Sequence, residues 1–197
     1  MLAIGAWGAF PGGACVIGCI AFRVCILSQT DWTKLLIKLE QIDVRNIERI
    51  AHSEPLDFGA LLLLDEALPP PHVAARSLMH LAAGTPAFWC VPFLMLDEKR
   101  DRILGGCGFK TAPINGRVEI GYGVAASERG RGIATAGVAA LLQLARESGE
   151  VRELVAIILP DNAASAKVVS RLGFTLESRV VDEDGVPADE WVWTCTG

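Results

Sequence analysis

The sequence predicts a single α/β domain whose mixed central sheet contains a parallel strand pair and is flanked by helices. Three observations favour this class. The chain has 197 residues, 51% of them hydrophobic, which suits one sizeable core and would be cramped for two domains. Strand-like and helix-like segments alternate from Trp32 onward, as in layered α/β folds. Later, a strand, a helix and an apolar strand follow in the order of a crossover between parallel strands.

The first half of the chain predicts short elements. "LLIKLEQI" (35–42) is typical of a strand, and "VRNIERIAHS" and "PHVAARSLMHLAA" are typical of helices on either side of the ambiguous "FGALLLLDEAL". "AFWCVPFLML" and "RILGGCGFK" are rich in residues that favour strands. The segment "DEKRD" between them has the composition of a solvated hairpin turn.

The strand predicted at "VEIGYGV", Val118 to Val124, has two different faces. Val118, Ile120, Tyr122 and Val124 alternate with Glu119, Gly121 and Gly123, so one face is apolar and the other carries a carboxylate and two glycines. A face without side chains leaves room for a ligand along the backbone. Relief of close packing against a helix is the alternative explanation for these glycines.

The remaining elements follow from periodicity and capping residues. Apolar residues recur at helical spacing from Ile133 to Ala145, and the continuous run "LVAIIL" (154–159) suits a strand covered on both faces. A second helix is predicted from Asp161 or Asn162 to Gly173. "FTLESRVV" and "EWVWTC", joined through Asp184 and Gly185, predict a closing hairpin.

The stretch "SERGRGIATAG" (127–137) predicts an anion site at the start of the first of these helices. Glycines at 130 and 132 allow a sharp turn with exposed N–H groups, and the helix adds its free donors and positive dipole end. Arg129 and Arg131 add positive charge. A phosphate or pyrophosphate at the carboxyl end of a parallel strand is therefore expected, and coenzyme A has the shape to continue along the bare strand face. A solvated turn is the alternative.

Two other nucleotide signatures fit less well. The spacing GxxxxGK[ST] of a Walker A loop does not occur in the sequence. The string "GYGVAA" (121–126) lies inside the predicted strand rather than after it. A dinucleotide-binding turn there would also place Gly130 and Gly132 within the following helix, where each costs about 1 kcal/mol relative to Ala.

The segment Val118 to Ser178 resembles the core of the GNAT N-acetyltransferase superfamily, especially the branch of ribosomal-protein N-terminal acetyltransferases. "RGRGIA" resembles the family's pyrophosphate loop, Q/R-x-x-G-x-G/A, and "DNAAS" with the later "LGF" resembles the helix that follows. The resemblance implies a GNAT-type fold and transfer of an acetyl group from the cosubstrate acetyl-CoA to a primary amine by direct attack in a ternary complex. The acceptor stays open between a protein N-terminus, an amino acid, a polyamine and an aminoglycoside.

The resemblance also implies roles for particular residues. The backbone at Val124 would hold the pantetheine arm and the thioester carbonyl, and Asn162 the pantetheine or its cysteamine end. The pyrophosphate would bind the loop residues Arg129, Gly130, Arg131, Gly132, Ile133 and Ala134. The early helices and the loop before the last strand would surround the acceptor pocket.

Two catalytic roles are expected from this resemblance together with the chemistry of acetyl transfer. Glu119 is the candidate base, directly or through a water; an exposed carboxylate or a partner of a cross-strand arginine is the alternative. Many family members place a tyrosine, proposed to protonate the thiolate, where this chain has Val169. Ser165 is the candidate substitute, with a plain helix-start serine or a water acid as alternatives. Tyr122 is expected in the core. An acyl-CoA-binding sensor or partner-binding module without turnover is the alternative function.

Composition excludes several partners and cofactors. A net charge of −5 and a pI near 5.2 give no general attraction for nucleic acid. The six cysteines form no CxxC pair or zinc-finger spacing, so neither a disulfide framework nor a metal site is expected. Reduced thiols and a cytoplasmic location are the prediction. His52, His72 and His80 receive no role.

Residues 1–30 form an apolar, glycine-rich extension of uncertain status before the acetyltransferase domain expected at 31–197. Met1 to Phe22 carries no charge, but it contains Pro11 and several glycines, and no basic residue precedes it. These features disfavour a signal or membrane anchor. An extension that packs on the domain or in a homodimer, or upstream sequence from a misplaced start codon, are the alternatives.

Overall fold

The computed structural model describes residues 37–182 and 185–195. The predictions for residues 1–30 therefore lie outside the described residues. The first strand, β1, spans Lys38–Gln41, and helix α1 spans Val44–Ala51. Asp43 caps α1 by accepting a hydrogen bond from the backbone N–H of Asn46 at 2.9 Å. The predicted first strand and first helix are thus confirmed within the described part of the chain.

The ambiguous apolar segment contains only a two-residue strand, β2 at Leu62–Leu63, before helix α2 at Pro71–Ala82. Helix α2 is confirmed as predicted. Proline at its first position suits it because a helix needs no N–H donor there.

The segment "AFWCVPFLML" divides into two elements, which corrects the expectation that it is strand-like throughout. Helix α3 spans Ala87–Cys90 and strand β3 spans Phe93–Leu96. Pro86 precedes the helical turn with φ −56°, and its carbonyl accepts from the N–H of Trp89 at 2.9 Å. The fixed φ of proline favours a turn here, and Pro92 cannot continue a helix, so the helical turn gives way to strand β3.

The second half follows the predicted order. Strand β4 spans Arg102–Phe109 and β5 spans Arg117–Val124, a 3₁₀ turn covers Ala126–Glu128, and α4 spans Ile133–Ser148. Strand β6 (Glu153–Ile158), helix α5 (Ala163–Arg171) and strands β7 (Thr175–Val181) and β8 (Pro187–Thr194) complete the described fold. The last strand starts at Pro187, earlier than the predicted Glu190.

The strands form one mixed sheet in the order β1-β3-β4-β5-β6-β8-β7. The short strand β2 lies outside this order and pairs in parallel with β4. β5 and β6 are parallel, whereas β4 and β8, their other neighbours, run antiparallel to them. The predicted parallel pair and closing hairpin are therefore confirmed. β8 lies between β6 and β7, so the hairpin extends the sheet beyond β6.

The two faces of the sheet bury two apolar cores. Phe93 and Met95 of β3 pack with α4 residues such as Val138 and Leu141. Leu94 and Leu96, which point to the opposite face because strand residues alternate, pack with residues of α1 and α2. Helix α4 thus covers one face and the pair α1–α2 covers the other. The described cysteines, Cys90, Cys107 and Cys195, carry free thiols.

Candidate functional site

The parallel strands β5 and β6 separate part-way along their length. They pair at Arg117–Glu153, Val118–Leu154 and Glu119–Val155, and no further pairs between them occur in the described part of the chain. β5 nevertheless continues to Val124 and β6 to Ile158. A gap therefore opens in the sheet beyond Glu119, at the carboxyl ends of both strands, which is where open α/β sheets bind ligands.

Backbone groups of β5 point into this gap. The N–H of Lys110 donates to the carbonyl of Glu119, and the N–H of Ala125 donates to the carbonyl of Leu104. Odd-numbered residues of β5 therefore bond to β4, and the even-numbered ones direct their N–H and C=O groups to the other edge. At Tyr122 and Val124 that edge faces the gap, and the carbonyl of Val124 accepts a hydrogen bond from Arg129 Nε.

The face of β5 that carries Gly121 and Gly123 is open. A Cβ added to either glycine would meet no atom within 4 Å. The alternative explanation, that these glycines relieve close packing against a helix, does not hold. In contrast, a Cβ at Gly105 of β4 would lie 2.4 Å from the carbonyl oxygen of Gly123, so the tight approach is between the strands themselves.

The loop before α4 has the sharp bend that its glycines predict. Gly130 and Gly132 have φ values of 76° and 83°, in the left-handed region that glycine tolerates best. Gly132 begins α4, and no side chain caps that helix. The first N–H groups of α4, at Ile133 and Ala134, therefore remain donors at a positive dipole end.

The two arginines of this loop both contact carboxylates. Arg129 lies 2.5 Å from Glu66 and donates through Nε to the carbonyl of Val124 at 3.3 Å. Arg131 lies 2.7 Å from the buried Glu128, which also pairs with Arg102 at 3.3 Å. Both arginine charges are therefore locally compensated, whereas no side chain caps the first N–H groups of α4.

Glu119 forms an ion pair with Lys110, the residue that follows β4 and lies opposite Glu119. The distance from Lys110 Nζ to Glu119 Oε1 is 2.6 Å, and the Glu119 side chain is 29% exposed. The cross-strand partner that sequence analysis considered is thus a lysine rather than an arginine. Val118 and Ile120, on the other face, are buried, so Glu119 lies on the open side of the strand, next to the start of the gap.

The first turn of α5 closes the far side of the gap. Asn162 caps the helix, its Oδ1 accepting from the backbone N–H of Ser165 at 3.1 Å. The hydroxyl of Tyr122 donates to the backbone carbonyl of Ser165 at 3.2 Å. Burial raises the pKa of Tyr122 and outweighs the opposite effect of this hydrogen bond. Tyr122 therefore spans from β5 to α5 as a neutral phenol, and it packs against the core as predicted.

Val169 of α5, at the family's tyrosine position, is fully buried where the helix packs on the core. A valine there has no proton to donate. Among the residues that the structure brings to this turn, Ser165 and Tyr122 carry hydroxyl groups.

A cavity of about 300 Å³ lies on the opposite side of β4 and β5 from α4. Glycines of both strands form its floor, and helix α2 with the loop before it forms the wall. Its charged or titratable lining side chains include His72, Arg76 and Lys110. This set of side chains was not predicted from the sequence, in which His72 has no assigned role. Counting back from Glu119 across the β4–β5 hairpin could have found Lys110, but no local pattern identifies the facing surface of α2.

Within residues 37–182 and 185–195, no group of three or more His, Cys, Asp or Glu side chains is arranged to hold a metal ion. Over the same residues, every helix is too short or too polar to cross a membrane.

Residues 64–175 match the family model of the acetyltransferase (GNAT) domain. The chain belongs to the GNAT family. Among GNAT relatives, the uncharacterized N-acetyltransferase p20 of Bacillus licheniformis is 31% identical over 91 residues, 46% of this chain and 51% of p20. The ribosomal-protein-serine acetyltransferase of Escherichia coli K12 is 38% identical over 80 residues, 40% of this chain and 45% of that enzyme. The chain thus matches about half the length of these curated relatives.

Solved GNAT structures share the fold. An aminoglycoside acetyltransferase in complex with coenzyme A superimposes with a TM-score of 0.59 at 17% identity, covering 81% of this chain and 95% of that one. The RimL ribosomal-protein acetyltransferase in complex with coenzyme A gives a TM-score of 0.57 at 19% identity, covering 80% and 93%. Both confirm the predicted mixed α/β architecture.

Proposed function

We propose that this protein transfers the acetyl group of acetyl-CoA to a primary amine, either a protein N-terminus or a small molecule, by direct attack in a ternary complex. The observation that carries this proposal is the gap between β5 and β6, which ends at the uncapped start of α4. It combines an elongated edge of backbone groups with an anion site at one end. That combination suits a long, thin carrier that bears a diphosphate.

The residues present fit acetyl-CoA along this path. The diphosphate would bind the amides from Gly130 to Ala134, with Arg129 and Arg131 at its sides, and the pantetheine arm would lie along Tyr122 and Val124. Asn162 would lie at the cysteamine end. The N–H of Val124, which points to this edge, is the donor we assign to the thioester oxygen, because acetyl transfer concentrates negative charge there. The named relatives are acetyltransferases, and two solved neighbours hold coenzyme A.

Acetyl transfer requires a neutral amine and a proton for the departing thiol. The new C–N bond forms as the thioester C–S bond breaks; the amine loses one proton and the thiol gains one. We assign the first proton to Glu119, acting through a relay of waters, because its carboxylate lies on the open face where the gap begins and its Cα lies about 16 Å along the strand from that of Val124. We assign the second proton to the hydroxyl of Ser165, in the turn that closes the gap.

A comparison of three ligands tests the cosubstrate assignment. Acetyl-CoA and CoA should raise the melting temperature of the full-length chain, and NAD should not. At 100 times the dissociation constant, binding contributes about 2.7 kcal/mol, which corresponds to about 5 to 10 °C for a chain of this size. A shift with NAD alone would remove the proposal.

Thiol release measured against a panel of primary amines tests turnover. We expect release that depends on both acetyl-CoA and an amine. Binding of acetyl-CoA with no amine-dependent release from any member of the panel would instead indicate a sensor or partner-binding module.

A further inference from the structure

The side chain of Tyr122 joins the two walls of the gap. Its backbone lies in β5 beyond Glu119, the last residue of that strand that pairs with β6 in the described part of the chain. Its hydroxyl donates to the backbone carbonyl of Ser165, in the first turn of α5, at 3.2 Å. One hydrogen bond thus connects the strand assigned to the pantetheine arm with the turn that carries the candidate acid.

Packing holds the phenol at the β5 end of this connection. The ring of Tyr122 packs against the core that α4 covers, and an aromatic side chain has only two rotatable bonds, so its hydroxyl can reach few positions. Burial raises the pKa of Tyr122 more than the hydrogen bond to Ser165 lowers it, so the phenol stays protonated and remains a donor at neutral pH. The hydroxyl therefore sets a defined distance between β5 and the carbonyl that it contacts.

Burial fixes α5 to the sheet about one turn further along the helix. Residues 159–164 are exposed, and the buried residue of α5 is Val169, four residues after Ser165. The cap from Asn162 joins two residues of the same turn, so it does not set where that turn lies relative to β5. The hydrogen bond from Tyr122 reaches the turn from the sheet and does set its place.

We propose that Tyr122 is a positioning residue for acetyl transfer: through the backbone of the first turn of α5, its phenol places the hydroxyl of Ser165 beside the cosubstrate path. This inference rests on the proposed function and adds a residue to it. A misplacement of about 1 Å is enough to slow a reaction about 100-fold, so one bond that orients this turn has a measurable effect on the rate. Tyr122 acts through the turn and not on the thiol itself.

Tyr122→Phe removes the hydroxyl and keeps the ring. We expect kcat for the best amine acceptor to fall about tenfold, measured by thiol release from acetyl-CoA with the full-length chain. Without ligand, the melting temperature should fall by no more than about 4 °C, as expected for the loss of one hydrogen bond. Thr175→Val is the matched control, because it removes a hydroxyl that donates to the backbone carbonyl of Val192 at 3.3 Å in the β7–β8 hairpin. It should keep the wild-type kcat.

A double-mutant cycle with Ser165→Ala tests whether Tyr122 acts through Ser165. If it does, Tyr122→Phe should lower kcat about tenfold in the wild-type chain but less than about twofold when Ser165 is already replaced. A contribution of the phenol to folding alone would lower kcat by the same factor in both backgrounds. The difference between these two factors is therefore the deciding measurement.

The outcomes separate this inference from the proposed function. A wild-type kcat in Tyr122→Phe would overturn the inference and leave acetyl transfer intact. An equal loss of kcat in both backgrounds would also overturn it, because the phenol would then act without Ser165. Absence of release from the wild-type chain with every amine, while acetyl-CoA still binds, would overturn both.

Discussion

Glu119 occupies the last position at which β5 pairs with β6, and its ion pair with Lys110 holds it on the open face of the strand. If this carboxylate accepts the proton of the amine, Glu119→Gln should lower kcat by about 100-fold or more. The affinity for acetyl-CoA should change little, because the diphosphate loop is untouched. Steady-state thiol release and the acetyl-CoA melting shift measure the two effects.

The exposed Glu177 of β7 provides a control for the loss of one negative charge. Glu177→Gln should keep full activity. A Glu119→Gln enzyme with wild-type kcat for its best acceptor would show that the base is another group or a water alone.

Ser165 can be tested without disturbing the helix that carries it, because Asn162 caps α5 through the backbone N–H of Ser165. Ser165→Ala should therefore leave the melting temperature unchanged and lower kcat about tenfold or more if the hydroxyl protonates the thiol. Asn162→Ala should instead lower the free energy of unfolding by about 1 kcal/mol, because this substitution removes the helix cap. An unchanged kcat in Ser165→Ala would assign the proton to a water or to Tyr122.

At the scale of elements, substitutions at glycines of the adjacent strands β4 and β5 distinguish an effect on stability from an effect on activity. A methyl group at Gly105 would meet backbone atoms of β5, namely the carbonyl oxygen of Gly123 at 2.4 Å and the Cα of Val124 at 3.0 Å. Gly105→Ala should therefore destabilise the protein by about 1–3 kcal/mol, measured by urea unfolding. Relief would require β4 and β5 to move apart.

A methyl group at Gly121 would meet no atom within 4 Å and would project toward the cavity that this residue lines on the α2 side of the sheet. Gly121→Ala should keep the stability within about 0.5 kcal/mol of wild type and lower kcat/KM for the acceptor by about tenfold or more. Equal loss of stability in the two variants would mean that the face of β5 is not open.

The turn between β3 and β4 depends on the charge of Asp97. Burial acts to raise the pKa of Asp97, but hydrogen bonds from the backbone N–H groups of Asp101 and Arg102 and from the Arg102 guanidinium outweigh it, and the pKa falls from 3.8 to about 2. The ionised carboxylate of Asp97 thus stabilises the folded protein fully above about pH 4, and this stabilisation is lost as the pH falls toward 2. Asp97→Asn should cost about 1 kcal/mol at pH 6.

Urea unfolding of wild type and Asp97→Asn between pH 6 and pH 2 checks this effect. The two free energies of unfolding should converge below about pH 4. A constant difference across that range would show that the ionised carboxylate makes no net contribution to the turn.

At the scale of the whole molecule, the sequence predicts most of the second half because its signals are local. The alternation in Val118–Val124, the glycines of the turn and the cap of α5 each determine structure within a few residues. Helix α3 was missed because its residues favour strands, whereas the prolines on either side determine the local backbone. Contacts between segments that are distant in sequence could not be predicted, because they depend on how the whole sheet and its helices pack. The lining of one cavity by both Arg76 and Gly121 is one of these, and the separation of β5 from β6 is another.

The candidate site shows the same division. The loop at 129–134 and the bare face of β5 were predicted from residue type, since glycine has direct consequences for the backbone. The ionic partner of Arg129 lies 63 residues away in sequence, and that of Glu119 lies across a hairpin, so only the assembled sheet brings these pairs together. Arg131, in contrast, pairs with Glu128 in the same loop. Residue patterns thus predict local backbone features, such as the loop at 129–134, better than they predict pairs of distant side chains.

A crystal structure of the full-length chain with coenzyme A tests the central claim most directly. The diphosphate oxygens should accept hydrogen bonds of about 3 Å from backbone N–H groups between Gly130 and Ala134, with the pantetheine arm beside Tyr122 and Val124. Coenzyme A bound elsewhere on the protein, with this loop empty or filled by a neighbouring side chain, would contradict the claim.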